Sequence, residues 1–153
     1  MTRFFNKSFS SNRCHRTVCA VCSGSELKGP SKFGLKSVVY KGVCQICEDS
    51  HKTNPKGKHL GKYIGQTYRT LAERAKEHRD SLKRMDSTSF MFKHWTLNHS
   101  ELTDPPKFVF RVLDHFRDPM TRMIKEAILI RDEASLYSKS EYKGNKLARL
   151  TVE

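Results

Sequence analysis

Apolar residues along this 153-residue chain fall into short groups that change period from one to the next. Leu35-Lys-Ser-Val-Val-Tyr-Lys-Gly-Val-Cys44 is rich in β-branched and aromatic types and predicts a strand. Gly61-Lys-Tyr-Ile-Gly-Gln-Thr67 predicts a second short strand, joined to the first as a hairpin through a polar loop over 48–60. Thr70 and Glu73 stand three apart, as in a capping box, and Leu71, Ala75, His78 and Leu82 then recur at helical spacing. Residues 89–98, with Phe90, Phe92 and Trp95, predict a second helix. Pro105-Pro106 breaks the chain, and Lys107-Phe-Val-Phe-Arg-Val-Leu-Asp114 alternates as a half-buried strand. Asp118-Pro119 supplies an N-cap and first helical residue for a last helix to about Glu133. Its inward face is read as Met120, Met123, Ile124, Ala127, Ile128 and Arg131. Strand, strand, helix, helix, strand, helix predicts an α+β domain, a three-stranded sheet flanked by helices. The polar tail, 137–153, shows no assignable pattern, and no repeat is evident.

At 37% hydrophobic and 29% charged residues, the chain has enough apolar content for one modest core and is not expected to be wholly disordered. No apolar run approaches the roughly 20 residues of a membrane helix. Met1-Thr-Arg-Phe-Phe-Asn-Lys7 lacks the apolar segment of a secretory signal. The expected setting is therefore intracellular and reducing, with no membrane partner. Lys plus Arg number 29 against 16 Asp plus Glu, a formal +13. A small domain with that charge attracts polyanions, nucleic acid foremost. Residues 1–13 read as a basic arm.

The five cysteines are Cys14, Cys19, Cys22, Cys44 and Cys47. An odd count with two CxxC pairs argues for reduced thiolates holding zinc rather than a disulfide framework. Cys44-x2-Cys47 and His94-x4-His99 together offer a tetrahedral set, the histidines being at helix-like spacing. The two pairs are 46 residues apart, far more than in a DNA-reading finger, so this zinc is read as structural. It would tie the hairpin loop to the second helix. Cys14, Cys19 and Cys22 form a second, partial zinc site whose fourth ligand is open; His51 and His59 are candidates. The expected organisation is a basic arm with a cysteine-rich knuckle over 1–34, then a single domain over 35–153.

Arg74 and His78 lie four apart and share a helix face. Arginine can fork a phosphate, and histidine can move protons near neutrality. Val38-Val39-Tyr40, Tyr63-Ile64-Gly65-Gln66-Thr67, Leu71-x2-Arg74-x3-His78 and Lys125-Glu126-Ala127 follow one another in the predicted order strand, strand, helix, later helix. That series resembles the GIY-YIG nuclease family over about residues 36–137. A cysteine pair between the two tyrosine motifs, with a distant histidine pair, is most similar to the endonuclease domain of Penelope-like retrotransposons. The first motif here lacks the family's glycine. Aligning on Leu136 puts Tyr137 where the family has its late asparagine, and Asn145 is the only asparagine in the tail.

The resemblance implies a small antiparallel sheet and a DNA endonuclease using one Mg²⁺ or Mn²⁺. Glu126 would hold that ion. Tyr40 would help deprotonate the attacking water, Tyr63 would orient water or phosphate, Arg74 would stabilise developing charge, and His78 would assist proton transfer. It also implies a nuclear setting, nicking of target DNA to prime reverse transcription, a reverse transcriptase domain in cis, and element RNA. Backbone contacts would come from the arm, from Lys28, Lys32, Lys36 and the 52–62 loop, and from Lys41, Lys62, Gln66, Arg69 and Lys76. Zinc with basic charge also suits a non-catalytic nucleic-acid adaptor, or a module that docks another protein.

Overall fold

In the computed structural model, which describes residues 34–56 and 61–132, three strands form one antiparallel sheet in the order β2-β1-β3. β1 (Lys36–Cys44) is central, between β2 (Lys62–Thr70) and β3 (Phe108–His115). Val38, Val39, Tyr40, Val43 and Cys44 of β1 are all buried, because helices cover both faces of the sheet. The α+β class and the three strands agree with the sequence pattern. The arm, Cys14, Cys19, Cys22, His59 and Asn145 lie outside the described residues.

One face carries Val38, Tyr40 and Cys44 of β1, Tyr63 of β2, and Phe108 and Phe110 of β3. α2 (Leu71–Lys83) packs there through Leu71, Ala75 and Leu82, and α3 (Phe90–Asn98) through Phe90 and Met91. α2 starts as its sequence predicts. Thr70 Oγ1 accepts from Glu73 N at 3.2 Å, and the Glu73 carboxylate accepts from Thr70 N at 2.9 Å. The opposite face is a smaller cluster of Val39, Ile64 and Leu113 under Leu129 and Ile130 of α4 (Pro119–Asp132). The register between β1 and β3 slips at Val39/Tyr40, a bulge that falls beside the site described below.

Two expectations are corrected. Residues 45–53, read partly as loop, form the helix α1 (Gln45–Thr53) directly after β1. It buries no residue, so no apolar stripe announces it. A tertiary ion pair holds it: the Glu48 carboxylate takes a bidentate fork from Arg111 of β3, at 2.5 and 2.9 Å. In α4 the inward face is not the one expected. Met120, Ile124 and Ile128 are exposed, at 54%, 47% and 40%, and Arg131 is also exposed, while Arg122 and Ile130 are buried. Polar contacts set the rotation. Arg122 donates through Nε to Gln66 Oε1 at 2.6 Å and through a terminal nitrogen to the Phe116 carbonyl at 3.0 Å. Lys125 pairs with Asp114 at 3.5 Å. Among the described residues no helix is long and apolar enough to cross a membrane.

Candidate functional site

Tyr40 stands opposite Gly65 in the β1–β2 ladder, and its ring lies across that glycine. A Cβ on Gly65 would come 2.8 Å from the Tyr40 hydroxyl and 2.7 Å from the Tyr63 ring, so only glycine fits. The hydroxyl meets α2 there. His78 Nε2 is 2.7 Å away, and Arg74 Nε donates to the Tyr40 oxygen at 3.2 Å. Arg74 and His78 reach it together because they are one turn apart on the same face. The Tyr63 ring centroid is 6.2 Å from that of Tyr40 and stacks on Phe90 at 4.2 Å.

Electrostatics assigns the protons. Burial, with the Arg74 cation adding to it, pushes His78 down to about 3, so its ring is neutral and Nε2 accepts. Tyr40 therefore donates to His78 while accepting from Arg74. Burial pushes the Tyr40 hydroxyl up to about 12, against Arg74 and a hydrogen bond from Tyr63, both of which lower it. The charge of Glu126, half-buried on α4, also reaches this hydroxyl and raises it. Burial works against the Arg74 cation too, but Tyr40 and Glu77 outweigh it and raise its pKa above the ordinary arginine value. Tyr40, Tyr63, Arg74 and His78 thus meet at one hydroxyl, and Glu126 acts on it from the helix across the sheet. Sequence reading missed Glu77, which bonds Arg74 at 2.8 Å and also pairs with Arg69. Its only signal was a spacing of three from Arg74.

A second cluster lies at the far end of β1. Cys44, Cys47, His94 and His99 bring one ligand atom each to within 4.8 Å of the others, the only such group of three or more among the described residues. Cys44 is the N-cap of α1 and Cys47 sits in its first turn, where the helix dipole favours thiolates. His94 is on α3, but His99 is the residue that ends it. Five residues apart, the two rings would point in different directions on a continuous helix. The turn His99 N→Trp95 O (2.9 Å) and Leu102 N→His99 O (3.0 Å) brings the second ring round.

The group fits zinc in chemistry and size. Sulfur-to-nitrogen distances are 3.6 Å (Cys44–His99), 3.3 Å (Cys47–His94) and 3.2 Å (Cys47–His99). A tetrahedral ion with Zn–S of about 2.3 Å and Zn–N of about 2.05 Å has S···N edges of about 3.6 Å. His99 Nδ1 lies 3.8 Å from the Glu101 carboxylate, an acceptor on the ring nitrogen that would face away from a bound ion. Without a cation, burial first and then Cys44 push the Cys47 thiol up to about 12, a cost a bound cation reverses. Gly61 closes the cluster: its carbonyl accepts from Cys44 N at 2.9 Å, and a Cβ there would come 2.6 Å from Cys44 Cβ.

Of the expected backbone-binding residues, Gln66 engages Arg122, Lys76 pairs with Asp80 at 3.2 Å, and the Arg69 guanidinium lies over the Tyr68 ring at 5.6 Å. Lys41 and Lys62 are half-buried on the sheet. No family model, curated protein or solved structure matches this chain.

Proposed function

We propose that this chain is a zinc-stapled DNA endonuclease of the GIY-YIG type, most like those of Penelope-like retrotransposons. The observation that carries the reading is the partner set of one buried hydroxyl. Tyr40 of the first motif meets Arg74 and His78 of the helix motif at 3.2 and 2.7 Å, with Tyr63 of the second tyrosine motif and the Glu126 charge joining them. A structural tyrosine needs one hydrogen-bond partner. This one has a neutral base, a cation, a second phenol and a carboxylate field around it.

With its hydroxyl raised to about 12, Tyr40 works through a relay rather than as a standing phenolate. It accepts the proton of the attacking water as its own proton passes to His78 Nε2. A phosphate beside Arg74 offsets the cation that helps to hold His78 neutral, so substrate binding itself makes His78 a better acceptor. Arg74 stabilises the charge that develops on the phosphate, and Tyr63 orients the water. Glu126 offers one carboxylate for Mg²⁺ or Mn²⁺, an adequate protein share for an ion that keeps several waters and binds substrate phosphate. That ion would neutralise phosphate and leaving oxygen. The Cys2His2 group would take no part in the chemistry. A bound zinc there would fasten α1 to α3. The proposed setting is nuclear, with target DNA, a reverse transcriptase domain in cis and element RNA as partners.

The test is nicking of supercoiled plasmid in Mg²⁺, Mn²⁺ and EDTA by the parent, Tyr40→Phe and Glu126→Ala. Metal-dependent open circles from the parent alone, with both variants folded and zinc-loaded, support the reading. DNA binding without strand breaks would replace it with a zinc-stabilised adaptor.

A further inference from the structure

Beside Arg74 and His78, the two partners of the Tyr40 hydroxyl, a cavity of about 230 Å³ opens between α2 and the start of α3. At about 30 Å³ per water it has room for seven or eight waters, close to the heavy-atom count of one pyrimidine. One wall carries Tyr63 and Phe90, with Arg74 and His78 next to them. The other wall is the short connection between the helices, a rigid piece of backbone. Met85 takes a left-handed conformation (φ 55°) and closes α2, with Met85 N→Leu82 O at 3.0 Å and Asp86 N→Ser81 O at 3.0 Å. Asp86 then accepts Thr88 N at 2.9 Å and Thr88 Oγ1 at 2.7 Å on a single oxygen, Oδ1.

Two acceptors in this wall are uncommitted. Oδ2 of Asp86 takes no hydrogen bond from the described residues. Ser89, the N-cap of α3, is only 8% exposed and does not cap its helix; its Oγ has no hydrogen-bond partner among the described residues. A buried hydroxyl left without a partner calls for an explanation.

Hydrogen-bonding capacity decides what class of ligand belongs here. Glu77 is shared by Arg74 and Arg69, and the Arg84 and Lys93 charges reach Asp86, so Asp86 is not an unbalanced charge. What the wall offers is an unused carboxylate oxygen and an unused hydroxyl. A fully ionised phosphate has no donor for that carboxylate. A group with N–H donors has, as an exocyclic amino group has for a carboxylate. We infer that this cavity receives one nucleobase bearing an exocyclic amino group, its amino edge on Asp86 and Ser89, next to the phosphate being cut. The inference rests on the endonuclease reading and deepens it: cleavage acquires a base preference at one flanking position. The base reaches the cavity from single-stranded or locally unpaired DNA, since the amino edge must leave its own partner.

The experiment uses the full, zinc-loaded chain, labelled with ¹⁵N and titrated separately with deoxycytidine, thymidine and inorganic phosphate. Deoxycytidine is expected to move the amide signals of residues 86–90 with an affinity about fivefold or more above that of thymidine. Asp86→Asn keeps the Thr88 bonds through its amide oxygen and offers N–H groups instead, so its preference should move toward thymidine. Ser89→Ala should weaken deoxycytidine binding, and it gives a second reading should Asp86→Asn disturb the connection. Equal response to both nucleosides, or response to phosphate alone, overturns the inference. Cut sites mapped on single-stranded DNA for parent and Asp86→Asn complete the test. Nicking without base preference sinks the pocket and leaves the nuclease. Selective nucleoside binding without nicking keeps the pocket and sinks the nuclease.

Discussion

The Tyr40 hydroxyl donates to His78 Nε2 across 2.7 Å, joining the central strand to the first helix after the sheet hairpin. Because His78 is held neutral, its Nε2 is free to accept, and under the endonuclease proposal this packing contact would also serve as a proton path. Replacing Tyr40 with Phe removes the path and leaves His78 Nε2 without its donor. Nicking should fall about 10²- to 10⁴-fold, the range for loss of general acid–base assistance. Stability should fall by about 1–3 kcal/mol for the buried nitrogen left unpaired. Plasmid nicking and urea unfolding of the same preparations check both numbers.

The same histidine makes stability depend on pH. Its pKa is about 3 in the folded chain, against 6.5 for an ordinary exposed histidine, so the unfolded chain binds more protons between those values. Stability therefore rises with pH through that window and is lost on acidification below about 6.5. At pH 5 the loss is about 2 kcal/mol relative to pH 7, from 1.36 kcal/mol per pKa unit. His78→Gln should lack this component. Zinc ligands also respond to acid, so the quantity to compare is the pH slope of urea unfolding in parent minus variant. Equal slopes would refute the assignment.

The Cys2His2 group should hold one zinc per chain in addition to any at the N-terminal cysteines. Cys44→Ser and His94→Ala should each lose one equivalent by metal analysis. The double variant should be no less stable than either single one, because the first substitution already empties the site. With cobalt, the parent should show the absorption of a tetrahedral thiolate site, and Cys47→Ser should not.

Gly65→Ala should damage the fold and, under the endonuclease proposal, the nicking with it. The added methyl would sit 2.8 Å from the Tyr40 hydroxyl and 2.7 Å from the Tyr63 ring, and both are packed side chains. A cost of about 1–3 kcal/mol is expected from overpacking. Nicking should fall more than DNA binding, since the displaced group is the hydroxyl.

The orientation of α4 gives a simpler check. Met120→Lys and Ile124→Lys fall on its exposed side and should change stability by no more than about 0.5 kcal/mol. Arg122→Ala removes the bonds to Gln66 and the Phe116 carbonyl and should cost about 2 kcal/mol, as for hydrogen bonds to a charged group. Comparable losses in all three would restore the inward face read from periodicity.

Local interactions were legible in the chain itself. The Thr70/Glu73 box, the β-branched run of β1, the proline that opens α4 and the paired spacing of Cys44 with Cys47 act within one turn or one strand, so their residue types suffice to reveal them. The motif residues Tyr40, Arg74 and His78 could be named, but not the bonds between them. Tertiary structure decided what depends on partners far along the chain. α1 exists without a buried face because Arg111, 63 residues away, holds Glu48. α4 turned Ile124 and Ile128 outward because Arg122 met Gln66, 56 residues away. His99 reached Cys44 because the helix stopped, not because its spacing was helical. Asp86 and Ser89 faced Tyr63 and Arg74 only once α2 and α3 had packed on the sheet. Periodicity reports which residues prefer to leave water. It does not report which polar group at a distance will make another position the better one to bury.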